Sequence, residues 1–231
     1  PMSALRAIVE TVLCSSYPTQ IAAALALALV GVRGQAGDGA LDTRFVLGIA
    51  VIDSVLVTSL IVWFLHRRGE SVRQLAFGDR PVLREAAAGA LMVPGVLLGV
   101  SLLIAAVRMA LPGTHNVPDN PLTAALVEGR ATLLLGGLVV VGGGVREELQ
   151  RAFQLHRLAP RVLGPALALI VTSAAFGLGH TLQGYDVAAG TAALGLLWGA
   201  MFLRRRSLVA AATCHALFNM GQVALAWMAH H

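Results

Sequence analysis

A cluster of side chains in the second half of the chain has the types and spacing that acid–base chemistry needs. The stretch from Val145 to Phe153 carries two adjacent carboxylates, Glu147 and Glu148, flanked by Arg146 and Arg151. Further on come Phe176 and His180, then His215 and Asn219, each pair four residues apart. On a helix Glu147 and Arg151 are i,i+4 neighbours, so the arginine can hold that carboxylate ionised and oriented. Glu148 falls about 100° further round and is freer to face a cavity or a water.

Two carboxylates, two imidazoles and an amide support hydrolysis. A buried glutamate can take a proton from water, and a histidine can position that water or donate to a leaving group. An asparagine amide, with the second histidine, can stabilise an oxyanion. The same groups could hold a metal: Glu148, His180 and His215 make a zinc ligand set with a fourth position left for water. The His-Glu-x-x-His pattern on one helix is absent. The candidate ligands come from three helices, so spacing leaves both readings open: no cofactor, or zinc.

The elements that must position these groups are membrane helices. Of 231 residues, 57% are hydrophobic and 13% charged, against roughly 25% charged in soluble domains. Mean hydropathy is +0.76. All 17 basic residues are arginine, and the net charge is +5. The arginines sit in short segments between apolar runs, which is a topology signal rather than a nucleic-acid footprint. Cys14 and Cys214 lie far apart in apolar surroundings, so no disulfide is expected. The first residues lack a clear signal-peptide cleavage site, and Pro1 reads as a cloning remnant.

A span needs about 20 apolar residues. Seven are expected: Ala4–Val32 with a break near Pro18, Phe45–Leu65 carrying Asp53, Ala86–Leu111 with a kink at Pro94, Ala131 to about Arg157, Val162 to about His180, Val187–Leu203, and Leu208–Met228. Loops are expected at Gly34–Thr43 and Pro112–Pro121, and an interfacial helix at Leu122–Arg130. The fold class is an all-α polytopic membrane bundle, residues 1–231 forming one integral membrane domain. Its active-site cavity is expected between spans four, five and seven. The segments 66–84, 157–161 and 204–206 hold five, two and three arginines, while 112–121 and 181–186 hold none. Arginine-rich loops stay in the cytoplasm, which puts the N-terminus there too. An all-arginine chain of this kind reads as bacterial, in the inner membrane.

Structural readings compete with the catalytic one. Glu147 and Arg151 alone could be an ion pair, and His215 with Asn219 an interhelical hydrogen bond. His66, His115 and His156 fall near loops and read as structural, as does Asp53. Glycines 136, 137, 142, 143 and 144 read as close-packing positions. The convergence of three spans at one depth tips the balance towards function, because intramembrane ionisable groups are expensive.

In that order on separate spans, Glu147-Glu148-x-x-Arg151, Phe176-x-x-x-His180 and His215-x-x-x-Asn219 resemble the CPBP family over about residues 131–228. That family includes the type II CAAX prenyl endopeptidase and bacterial Abi-like proteins. The resemblance implies an intramembrane endopeptidase acting on a membrane-anchored peptide or protein tail, with no nucleic-acid partner. It further implies that Glu148 or Glu147 activates water, that Arg151 orients the pair, and that His180 assists the water or leaving group. His215 and Asn219 would stabilise the oxyanion. The i,i+4 argument favours Glu148 as the base, since Glu147 faces Arg151. The rival from another class is a non-catalytic membrane binding, immunity or scaffold protein that uses the same polar cavity.

Overall fold

A computed structural model describes residues 2–35, 42–117 and 136–230, and it is helical throughout its long elements. The expected interfacial helix Leu122–Arg130 lies outside the described residues, as do most of the 34–43 loop, residues 118–121 and residues 131–135. Six runs are long and apolar enough to cross a membrane: Ala4–Leu29, Thr43–His66, Val82–Ala110, Gly136–Leu178, Tyr185–Arg205 and Val209–Met228. The protein is a polytopic helical membrane protein.

The first run is broken as proline chemistry dictates. Helix α1 (Ala4–Leu13) starts on Ser3, whose hydroxyl accepts from the Arg6 amide. Helix α2 (Tyr17–Leu29) begins with Pro18 in its first turn, where a missing N–H costs nothing. Between them Ser16 takes φ +70°, a conformation unusual for a residue with a Cβ. Helix α3 (Thr43–His66) is capped by Asp42, and a short α4 (Val72–Phe77) by Ser71. Helix α5 (Val82–Ala110) continues through Pro94.

The fourth run is 43 residues long and is not one rod. A straight helix would hold Gln150 and Ala175 about 38 Å apart. Yet Gln150 Nε2 donates to Ser16 Oγ at 3.0 Å, while the adjacent Tyr17 hydroxyl donates to the Ala175 carbonyl at 2.7 Å. The run therefore folds back on itself. The reversal is at Gly164, with φ +71° and ψ 163°, outside the range other residues tolerate. One arm is a π-helix, Val139–Glu147, leading into α6 (Glu148–Leu158); the other is α7 (Gly164–Leu178). Helices α8 (Tyr185–Arg205) and α9 (Val209–His230) complete the bundle. Six apolar runs thus supply the seven helical arms read from the sequence.

Charge is sorted between the two ends. Arg157 is fully buried and pairs with Glu10 at 2.7 Å and Glu70 at 2.6 Å, and Arg68 also pairs with Glu10. Arg205 pairs with Glu85 at 3.2 Å, and Arg80 donates to the Arg205 carbonyl. All three arginine-rich loops therefore meet at one end, as loops on one side of a membrane must. At the other end Asp186 holds Arg108 at 2.5 Å and His115 at 3.0 Å. His115 and His156 (on Glu70, 3.0 Å) are thus structural partners. Large apolar side chains such as Leu29, Leu91 and Met109 lie on the outside, where hydrocarbon rather than water would meet them.

Candidate active site

Glycine sets how the π-helical arm meets α9. A side chain at Gly144 would run into Ala216, and one at Gly143 would collide with the Asn219 amide and approach His215 Nε2 to 3.5 Å. With neither present, the π-helical segment lies directly on α9. This bears out the close-packing reading for these two positions. A π-helix is rare and recurs at functional sites. Here it ends at Glu147, the residue on which the polar cluster turns.

Arg151 does not pair with Glu147. Its guanidinium binds Glu148, three residues back, and lies over the Phe176 ring at 4.4 Å. The correction has a physical cause. Positions i−3 and i−4 are both within reach of an arginine, so the surroundings choose between them. Phe176 of α7 offers a cation–π face on the Glu148 side, and His215 of α9 donates from Nδ1 to the same Glu148 oxygen at 2.9 Å. Glu148 is 2% exposed and held through one oxygen by both Arg151 and His215, not the freer carboxylate expected from its helical angle.

Glu147 is the freer one. It lines a cavity of about 90 Å³ together with Arg151, Phe176 and His180, room for several waters. Its side chain is 24% exposed, and its carboxylate stands 3.9 Å from His215 Nε2. His180 donates from Nδ1 to the Phe176 carbonyl at 2.8 Å, because a carbonyl can only accept. In the neutral ring Nε2 is then an unprotonated acceptor. The His215 ring is stacked on Trp198, with centroids 3.7 Å apart. Asn219 gives one amide hydrogen to the Val139 carbonyl at 3.0 Å and keeps a second. The cluster lies some ten residues, about 15 Å, along the helix from the arginine-rich end at Arg157.

The cavity lies between spans four and five as expected, but span one and not span seven closes it. Its walls are the α1–α2 junction (Ser15, Ser16, Tyr17, Gln20), α6 with Arg146 and Glu147, and α7. Span seven backs it instead, through His215. The sequence reading gives the first span no part in the site, and its contribution is found only in the structure. So is the buried network around Arg146, which pairs with Asp53 of α3, donates to Ser16 Oγ at 2.7 Å and reaches Gln150 at 3.2 Å. Asp53 takes a second bond from Thr19. Asp53 alone among apolar neighbours was a signal that a cation must come to meet it.

The zinc alternative needs Glu148, His180 and His215 to face one point. The Glu148 oxygen nearest His215 already accepts from His215 and Arg151, and His180 opens on a cavity that neither Glu148 nor His215 lines. Among the described residues no three His, Cys, Asp or Glu side chains come together as a metal site. This arrangement does not fit a metal.

Comparison with curated proteins and with solved structures finds no match. A family model does match: residues 129–221, which end in the middle of α9, fit the type II CAAX prenyl endopeptidase Rce1-like family. Glu147, Glu148, Arg151, His180, His215 and Asn219 all fall inside the matched segment. Over residues 129–221 the chain is thus similar to the Rce1-like family of type II CAAX prenyl endopeptidases.

Proposed function

We propose that the protein is an intramembrane endopeptidase that hydrolyses a peptide bond in a membrane-anchored peptide or protein tail, with Glu147 as the base. One observation carries this reading. Of the two adjacent carboxylates, Glu147 faces a cavity with room for water beside His180, while Glu148 is buried behind it on Arg151 and His215. Glu147 takes a proton from water, which attacks the substrate carbonyl, and returns it to the leaving amine. His180 orients that water through Nε2. His215 and Asn219 reach the same helix face from α9 and donate to the developing oxyanion. For His215 to donate from Nε2 while also donating from Nδ1, its ring must carry both protons. Glu148 and Arg151 are positioning residues that fix His215 and the helix. The reading reverses the choice of base favoured by helical spacing. The arginine-rich end faces the cytoplasm of a bacterial inner membrane.

The test is cleavage of a set of membrane-tethered peptides by purified protein in lipid, run in ¹⁸O-labelled water. The expected product has ¹⁸O in its new C-terminal carboxylate. Cleavage without the label would indicate transfer to another acceptor. No cleavage, with tails still bound after Glu147→Gln, would favour the binding or scaffold alternative.

A further inference from the structure

The substrate class does not follow from the family match, because one wall of the cavity lies outside it. Ser15, Ser16, Tyr17 and Gln20 belong to the α1–α2 junction, more than a hundred residues before the matched segment begins at 129. The character of that wall is unusual for this chain. Although 57% of all residues are hydrophobic, no described residue lining the cavity is valine, leucine, isoleucine or methionine. The walls are hydroxyls, amides and charges, with Phe176 and the Tyr17 ring as the large apolar surfaces.

The charges in the wall are matched from outside it. Arg146 is paired with Asp53 and Arg151 with Glu148, neither of which lines the cavity. The Glu147 carboxylate is left facing inward, so an acidic segment would be repelled. Several of the polar groups already have partners: Tyr17 binds the Ala175 carbonyl, Ser15 the Val12 carbonyl, and Ser16 belongs to the Arg146 network. Gln20 is exposed, and Gln154 reaches the Cys14 carbonyl only at 3.4 Å. These two amides have capacity to spare for a substrate backbone or side chain. An aliphatic side chain placed among such groups would desolvate them without replacing their hydrogen bonds.

We propose, resting on the hydrolase reading, that the segment cleaved is an uncharged polar peptide with small hydroxyl or amide side chains beside the scissile bond, selected by Gln20 and Gln154, and not the aliphatic tail of a prenylated protein. The break in the first span is what makes this possible. It brings a polar turn, instead of a continuous apolar helix, to the depth of Glu147.

The experiment uses the full chain in lipid vesicles and three tethered tails that differ only in the residues around the cleaved bond. One carries serine, asparagine and glycine, one valine, leucine and isoleucine, and one a prenylated cysteine followed by aliphatic residues. The polar tail is expected to be cleaved with kcat/KM at least about tenfold above the others. In the Gln20→Leu/Gln154→Leu variant that ratio should shrink to about threefold or less with the melting temperature retained. An aliphatic or prenylated tail cleaved as fast as the polar one overturns the proposal and leaves the hydrolase reading intact. Binding of the tails to Glu147→Gln separates the two claims further. Preference for the polar tail in binding, with no cleavage by the unmodified protein, supports the selection and sinks the hydrolysis; equal binding of all three tails overturns the selection.

Discussion

Replacing Asp53 by asparagine keeps the shape of the side chain and removes its charge. The carboxylate is almost fully buried, and so is Arg146, whose side chain is 12% exposed. Breaking a buried pair by removing one partner costs roughly 3–5 kcal/mol, because the remaining charge stays in low dielectric. The amide oxygen of asparagine can still accept from Thr19 or Arg146, and Ser16 and Gln150 still hold the guanidinium. The lower end applies, about 3 kcal/mol. At roughly 2–4 °C per kcal/mol for a chain of this size, Asp53→Asn should lower the melting temperature in detergent by about 6–12 °C. Activity should fall too, since an unmatched cation beside Glu147 stabilises the ionised base and makes it a weaker proton acceptor. The second change Arg146→Gln removes the stranded charge, so the double variant should regain at least half of the lost stability. Thermal unfolding by intrinsic fluorescence, with matched cleavage assays, reads all three proteins. A single variant within about 2 °C of the unmodified protein, or a double variant no better than the single, would refute the argument.

Other predictions follow from the same geometry. Gly143→Ala should push the Asn219 amide and crowd His215 Nε2; cleavage should drop by about 10²-fold, with KM little changed in steady-state kinetics. Burial works to raise the Glu70 carboxyl, but hydrogen bonds and charge from Arg157, with help from His156, outweigh it and hold the group below the usual carboxylate range. A carboxyl lowered by folding contributes stability in full above its unfolded value, about 4.3, and loses it as pH falls through the folded value. The unmodified protein should therefore lose melting temperature below about pH 4.3 more steeply than Glu70→Gln, as a thermal series against pH would show. Because His180, His215 and Glu148 do not converge as ligands, treatment with a strong zinc chelator should leave cleavage within about twofold of the untreated rate.

Much of this architecture was legible in the sequence. The apolar runs gave the helices, Pro18 the break in the first, and the arginine counts the common end at which Arg68, Arg157 and Arg205 gather. The choice of partner for Arg151 was not legible. Glu147 and Glu148 stand at equally good spacings, and the decision came from Phe176 and His215, which reach the site from other helices. The π-helix was hidden as well, since a glycine-rich apolar run carries no periodicity that separates it from an α-helix. Asp53 could be read as a carboxylate in need of a partner, but nothing local named Arg146, 93 residues away. The polar wall at Ser15–Gln20 was lost for a related reason. A break predicted near Pro18 says where the chain bends and not which helix the bend rests on.

The account turns on which of two adjacent carboxylates meets water. The direct measurement is the cleavage rate of Glu147→Gln on a tethered substrate, in a preparation whose melting temperature matches the unmodified protein. Glutamine keeps the size of the side chain and cannot take the proton, so the rate should fall by about 10³-fold, within the span general-base catalysis supplies. Glu147→Gln cleaving at the unmodified rate would contradict the account and return the role of base to another group.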